Sequence, residues 1–140
     1  AYEETEKLEP FPGVVALLKE AKAKNLPCLV ASSSPRSWVE GHLNRLELIS
    51  YFSGTRCLDD VNSPKPAPDL FLAAIELAGV DPGRALVLED SLNGLRAATA
   101  AGVDCVIVPN RITANLDFTE AALVLETLEG IGIERLSEIK

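Results

Sequence analysis

Three segments of the sequence place reactive side chains beside short apolar runs. Ser32 and the acidic pair Glu89-Asp90 each follow a run that predicts a buried strand, and Lys65 lies in a proline-rich loop between them. In an α/β sheet, ligands bind at the carboxyl ends of the strands. A hydroxyl donor, a fixed positive charge and carboxylates for a hard cation are the groups that a phosphoryl group requires. The spacing therefore predicts a phosphoryl-binding site at one edge of a sheet.

Each of these side chains also has an ordinary structural explanation. Adjacent carboxylates can offer oxygens to Mg²⁺, but Asp90 can instead cap a helix that begins at Ser91. The prolines at positions 66 and 68 restrict the loop and can aim the Lys65 ammonium, although an exposed lysine needs no such role. The residue types alone leave both explanations open.

The serines at positions 32–34 precede a helix that a proline begins. Their hydroxyls and backbone N–H groups can bind an anion at the helix N-terminus, while Ser34 followed by Pro35 also fits a simple N-cap. Arg36, in the first turn of this helix, can reach a second anionic group of a substrate. We expect His42, further along the helix, at the surface or its boundary rather than in catalysis.

Helix and strand signals alternate along the whole chain. Apolar positions at helical spacing start at Val14 and again at Val39, and later helices end at Gly79 and Gly102. Apolar runs between the helices predict the strands Cys28–Ala31, Thr55–Leu58, Ala85–Leu88, Cys105–Val108 and Leu123–Leu125. This alternation predicts a three-layer α/β/α fold with a mainly parallel sheet. Residues 1–140 are expected to form one such domain, with residues 1–9 as a charged lead-in.

Composition limits the classes of partner. The chain has 140 residues, is 47% hydrophobic and carries a net charge of −8, which argues against a general nucleic-acid binder but allows a small anionic substrate. No apolar run reaches the ~20 residues of a membrane span. We expect Cys28, Cys57 and Cys105 to be buried free thiols rather than metal ligands, as suits a reducing cytoplasm. Composition does not set the oligomeric state.

Taken together, these segments resemble the haloacid dehalogenase superfamily, in particular its β-phosphoglucomutase-like phosphatases. The segments that carry the resemblance are Pro10–Val14, Leu29–Ser34, Ser63–Phe71 and Leu88–Ala98, followed by Ala101-Gly102. Their spacing over roughly residues 10–110 is close to that of the family. The resemblance implies a Mg²⁺-dependent phosphatase that acts on a small phosphorylated metabolite such as a sugar phosphate.

The resemblance also assigns roles to residues. Ser32 would donate a hydrogen bond to the transferring phosphoryl oxygen, and Lys65 would neutralise charge on that group. Asp90 would bind Mg²⁺, with Glu89 as a second ligand or as a partner of the site. The residues expected to contact the substrate are Ser32, Ser33, Ser34, Arg36, Lys65 and Asn93.

One family motif has no counterpart in the sequence. The family carries Asp-x-Asp at the end of its first strand, where the first aspartate attacks phosphorus, but the opening here reads Tyr2-Glu3-Glu4-Thr5-Glu6-Lys7. We therefore interpret the chain as the C-terminal portion of such an enzyme, without its first strand and cap domain, and expect it to be inactive alone. The absent strand would lie between Cys28–Ala31 and Ala85–Leu88. Either these two strands pair directly, in the order 2-1-3-4-5, or another segment fills the gap.

Other functions fit the same residues. A phosphomutase would use the same site, but it needs a cap that retains a phosphorylated intermediate. A non-catalytic α/β module could bind a ligand or partner without hydrolysis. A receiver-like domain is disfavoured, since it would need an acidic cluster after its first strand, and the first predicted strand here ends in serines.

Overall fold

The computed structural model describes residues 13–110, 113 and 116–139. The helices are α1 (Val14–Ala23), α2 (Arg36–Arg45), α3 (Asp69–Ala78), α4 (Leu92–Ala101) and α5 (Ile133–Ser137). The strands are β1 (Leu29–Ala31), β2 (Gly54–Arg56), β3 (Leu86–Glu89), β4 (Asp104–Ile107) and β5 (Leu123–Val124). The predicted lead-in over residues 1–9 and positions 10–12 of the first family-like segment lie outside the described residues.

Helices pack on both faces of the strands. Successive side chains of a strand point to opposite faces, so neighbouring residues of β4 contact different helices. On β4, Cys105 and Ile107 pack into an apolar cluster with residues of α3 and α4. Val106, between them, packs instead against residues of α1 and α5. A further cluster packs α1 and α2 against residues of β1. The predicted three-layer α/β/α class is therefore confirmed.

The strands form two parallel sheets within the described part of the chain. β1 pairs with β2, and β3 pairs with β4, which pairs with β5. Direct pairing of β1 with β3, one of the two predicted arrangements, is therefore wrong. The carbonyl of Ala31, at the end of β1, accepts a hydrogen bond from the Lys65 side chain instead of a β3 amide. The other arrangement, with a further segment between β1 and β3, stays a prediction.

Element boundaries differ slightly from those predicted. β2 ends at Arg56 rather than at Leu58, because the chain turns into a short 3₁₀ helix over Leu58–Asp60. β3 extends to Glu89, so this carboxylate belongs to the last strand residue and does not follow the strand. Gly79 and Gly102 end α3 and α4 with φ values of 72° and 77°, as predicted, because glycine adopts this left-handed conformation at no steric cost.

His42 is buried, which contradicts the expectation of a surface or boundary position. Its ring stacks on Trp38 with 5.0 Å between centroids, and its Nδ1 lies 2.8 Å from Nη2 of Arg45. The cysteines are free thiols, as predicted; Cys57 and Cys105 are buried and Cys28 is half-buried. No helix within the described ranges is long and apolar enough to cross a membrane.

Candidate active site

The Lys65 side chain connects the carboxyl ends of β1 and β3. Its Nζ donates a hydrogen bond to the Ala31 carbonyl at 2.8 Å and forms an ion pair with Oε2 of Glu89. The ammonium also lies 4.8 Å from the centroid of the Phe71 ring, within cation–π range. The two charged side chains are only 12% and 11% exposed. Lys65 is therefore fixed at the edge of the sheet and is not a solvated surface lysine.

The serines that follow β1 lie beside Lys65. The backbone N–H of Lys65 donates to Oγ of Ser33 at 3.2 Å, and the backbone N–H of Ser34 donates to Oγ of Ser32 at 3.1 Å. The Ser32 hydroxyl accepts in this contact, and its own proton has no acceptor among the described residues. A hydroxyl carries one donor, so this proton remains available for a further hydrogen bond.

An acidic side chain contacts the N-terminus of α2. Pro35 occupies the N-cap position without a side-chain cap bond, and the backbone N–H of Arg36 donates to Oδ1 of Asp59 at 2.8 Å. The prediction that Ser34 caps this helix is therefore wrong, because the helix begins one residue later and Asp59 satisfies its first N–H group. A carboxylate of the protein thus takes up part of the helix end where the sequence predicted an anion site.

The Arg36 guanidinium is engaged away from Lys65. It forms an ion pair with the Asp60 carboxylate, with Nη1 at 3.0 Å from Oδ1, and it donates to the Thr55 carbonyl at 3.1 Å. The hydrogen bond from Arg36, together with one from the Cys57 N–H, holds the pKa of Asp60 below its ordinary value. The same hydrogen bond raises the pKa of Arg36. Among the described residues, the guanidinium contacts Asp60, Thr55 and Glu40 and none of the groups around Lys65, so a role of Arg36 in substrate binding stays a prediction.

The Glu89 carboxylate uses both of its oxygens within the protein. Oε2 pairs with Lys65, while Oε1 accepts hydrogen bonds from the Asp90 N–H and the Ser91 hydroxyl, each at 3.2 Å. The first turn of α4 lies so close that a Cβ atom at Gly94 would be 2.1 Å from Cδ of Glu89. Of the two roles implied for Glu89, these contacts favour the partner that holds the lysine over the metal ligand.

Asp90 does not cap α4. The N-cap is Ser91, whose Oγ accepts the Gly94 N–H at 3.0 Å, so the capping explanation for Asp90 is wrong. Oδ2 of Asp90 instead accepts a hydrogen bond from Nδ2 of Asn110 at 3.1 Å, and its carbonyl accepts one from Oγ1 of Thr113 at 2.9 Å. Within the described residues, Oδ1 of Asp90 has no hydrogen-bond partner.

Two contacting residues were missed by the sequence reasoning. Asn110 follows β4, so it meets the same rule that singled out the ends of β1 and β3, and its spacing to Thr113 is that of a polar turn. That rule would have found Asn110, but nothing in the sequence pairs it with Asp90. Asn93, a predicted substrate contact, lies exposed in the first turn of α4, and its role stays a prediction.

The donor set fits Mg²⁺ in part. No group of three or more His, Cys, Asp or Glu side chains suited to a metal ion occurs within residues 13–110, 113 and 116–139. Mg²⁺ is usually held by one or two carboxylates together with waters and substrate phosphates. The Oδ1 atom of Asp90 matches this hard-oxygen chemistry, whereas the Glu89 carboxylate is occupied by Lys65. The described residues therefore fit Mg²⁺ through one carboxylate.

Two surface cavities, both open to solvent, lie away from these residues. One cavity of about 380 Å³ lies near the amino ends of β1 and β2, lined by residues that include Leu26 and Tyr51. Another of about 460 Å³ lies between β2 and α3, lined by residues that include Arg56 and Leu77. Neither is lined by a predicted site residue.

Comparison with known proteins identifies relatives of the chain. The family model described as haloacid dehalogenase-like hydrolase matches residues 1–108. YhcW of Bacillus subtilis (strain 168) is 44% identical over 117 residues, which cover 84% of this chain and 53% of YhcW. The bifunctional riboflavin kinase/FMN phosphatase of Arabidopsis thaliana is 33% identical over 134 residues, which cover 93% of this chain and 35% of that protein.

A solved structure shares the fold. A variant of CbbY from Rhodobacter sphaeroides, crystallised in complex with xylulose-(1,5)-bisphosphate, matches with a TM-score of 0.87 and 32% identity over 96% of this chain and 63% of that chain. The chain therefore spans less than two thirds of each of these three proteins. The matches confirm the resemblance drawn from the motifs, including that to β-phosphoglucomutase-like proteins.

Proposed function

Because the chain belongs to the family of haloacid dehalogenase-like hydrolases, we propose that it supplies the phosphoryl-binding part of a Mg²⁺-dependent phosphatase. The observation that carries the proposal is the Lys65 ammonium, held between the Ala31 carbonyl and the Glu89 carboxylate. A cation fixed in this way needs no reorganisation when a phosphoryl group arrives, and such preorganised charge is the main catalytic device in phosphoryl transfer.

Different side chains of the site would contact different parts of the phosphoryl group. Within the part of the chain that the structure describes, two of the three ammonium protons of Lys65 have acceptors, and the third can donate to a phosphoryl oxygen. The Ser32 hydroxyl donates to a second oxygen of the same group. Mg²⁺, when bound at Asp90, would neutralise further phosphoryl charge. The nucleophile is an aspartate outside these 140 residues, and water hydrolyses the aspartyl phosphate that it forms.

The substrate class is a small phosphorylated metabolite, with sugar phosphates as the first choice. The CbbY variant was crystallised with a sugar bisphosphate, and the match to it covers 96% of this chain. Similarity to β-phosphoglucomutase-like proteins keeps phosphomutase activity as the second candidate. A cytoplasmic setting would suit both substrates and free thiols.

Kinetics on the intact protein test the proposal. We expect release of inorganic phosphate from p-nitrophenyl phosphate and from some sugar phosphates, and its loss in EDTA. Lys65→Met should lower kcat by about 100-fold, as does the removal of one preorganised donor in other enzymes. Lys24→Met is the matched control, because Lys24 is half exposed in its pair with Glu20 and should leave kcat unchanged.

Other outcomes would overturn the phosphatase proposal. Phosphoryl transfer between two positions of a sugar, without release of phosphate, would show a mutase. Binding of inorganic phosphate without any turnover would show a non-catalytic module. The 140-residue chain assayed alone should be inactive, and turnover by it that Asp90→Asn abolishes would show that the nucleophile lies within these residues.

A further inference from the structure

Asn110 and Thr113, which follow β4 in the sequence, hydrogen-bond to each other and to Asp90. The backbone N–H of Thr113 donates to Oδ1 of Asn110 at 2.9 Å, and the backbone N–H of Asn110 donates to Oγ1 of Thr113 at 3.0 Å. Each side chain thus accepts from the backbone of the other, three residues away, as in a capping box. These two reciprocal hydrogen bonds restrain both side chains independently of their contacts with Asp90.

Asn110 and Thr113 together contact two atoms of Asp90. The Asn110 amide donates to Oδ2 of Asp90 at 3.1 Å, and the Thr113 hydroxyl donates to its carbonyl at 2.9 Å. On the other side, the Asp90 N–H donates to Oε1 of Glu89 at 3.2 Å. The backbone and one carboxylate oxygen of Asp90 are therefore fixed, and Oδ1 has no partner among residues 13–110, 113 and 116–139.

The chemistry of these partners differs from that around the neighbouring carboxylate. Glu89 is paired with a full positive charge on Lys65, which cancels its own charge. The described partners of the Asp90 carboxylate and carbonyl are a neutral amide and a neutral hydroxyl, which orient the group without cancelling its negative charge. A carboxylate that binds a hard cation needs both a fixed direction and its charge.

We propose that Asn110 and Thr113 are positioning residues that keep the Asp90 carboxylate in its cation-binding orientation. The inference rests on the proposed function, because it requires Mg²⁺ at Asp90. Loss of such hydrogen-bond partners typically weakens metal binding by 10- to 100-fold. We therefore expect the Kd for Mg²⁺ to rise about tenfold or more when either contact is removed, with a much smaller change in kcat at saturating Mg²⁺.

The test uses Mg²⁺ as the probe on the intact protein, with calorimetric titration and the Mg²⁺ dependence of the rate measured in parallel. Thr113→Val keeps the side-chain shape and removes the hydroxyl, and Asn110→Ala removes the amide. Both should weaken Mg²⁺ binding. Thr113→Ser restores the hydroxyl and should bind Mg²⁺ nearly as the unmodified protein does. Thermal unfolding identifies any variant that fails to fold. If either Thr113→Val or Asn110→Ala does not fold, the Kd for Mg²⁺ of the remaining variant is compared with that of the unmodified protein.

Asp90→Asn separates failure of the inference from failure of the proposed function. If Asp90→Asn leaves Mg²⁺ binding unchanged, the metal does not bind at Asp90 and both are wrong. If Asp90→Asn abolishes binding while Thr113→Val and Asn110→Ala bind normally, only the positioning role is wrong. An unchanged Kd with a reduced kcat would also overturn it, because it would show a structural role that does not act through the metal.

Discussion

Lys65 and Glu89 form a nearly buried ion pair that links the two sheets at their carboxyl edges. β1 and β3 share no backbone hydrogen bonds in the described part of the chain. The Lys65–Glu89 ion pair therefore connects the ends of two strands that do not pair with each other. The ammonium reaches β1 through the Ala31 carbonyl, and the carboxylate belongs to the last residue of β3. One contact therefore contributes both to the stability of the fold and to the proposed binding of a phosphoryl group.

Removal of the lysine should cost stability as well as activity. Lys65→Met leaves the Glu89 carboxylate 11% exposed and without its cation. A buried charge that loses its partner costs about 3 kcal/mol or more in the free energy of unfolding. Urea denaturation measures this, and Lys24→Met, at a half-exposed pair, should cost less than about 1 kcal/mol. Equal costs at the two positions would contradict the burial of the Lys65 pair.

Substitution of both partners should cost less than the sum of the single changes. Lys65→Met combined with Glu89→Gln leaves no unpaired charge, and buried ion pairs replaced as a pair are often nearly neutral. The coupling free energy in a double-mutant cycle should therefore exceed that of typical exposed pairs, which is about 0.2–1 kcal/mol. Additive costs would mean that the two side chains do not interact in solution.

Gly94→Ala should destabilise the protein although alanine is the better helix former. An exposed glycine in a helix costs about 1 kcal/mol relative to alanine. At position 94, however, the new Cβ would lie 2.1 Å from Cδ of Glu89, so the carboxylate would have to leave Lys65. Gly41→Ala in α2 is the matched control, because its Cβ would meet no atom within 4 Å and should stabilise the helix. Thermal unfolding should shift in opposite directions for the two variants.

The parts of the site that lie at the carboxyl ends of strands could be predicted from the sequence. Ser32 follows an apolar run and Glu89 ends another, and the Lys65 side chain contacts the ends of both strands, as expected for groups at carboxyl ends. Contacts between distant segments could not be predicted. Nothing in the local sequence shows that Asp59 would satisfy the N-terminus of α2 in place of Ser34, or that Asn110 would hold Asp90. Local propensity gives way wherever a distant segment supplies a better partner.

The Arg36–Asp60 pair predicts how stability depends on pH. Because the folded pKa of Asp60 is lowered, the pair stabilises the folded state above the unfolded pKa of about 4, and this contribution is lost as pH falls through the folded value. Asp60→Asn removes it. The difference in the free energy of unfolding between the parent and Asp60→Asn should therefore be constant near neutral pH and shrink below about pH 4. Urea denaturation across pH 3–7 measures it, and a difference that grows in acid would contradict the sign.

Thiol labelling should report on the interior beneath the Lys65–Glu89 pair. Burial raises the pKa of Cys105 to about 12, and the nearby Glu89 charge adds to this while Lys65 partly offsets it. Because the thiolate is the form that reacts, iodoacetamide at neutral pH should label half-buried Cys28 first and leave buried Cys105 unlabelled. Lys65→Met should not speed labelling of Cys105, because it removes the positive charge that partly offsets the rise in the pKa of this thiol, and peptide mass spectrometry measures each site. Labelling of Cys105 at the Cys28 rate in the unmodified protein would mean that this edge is open to solvent.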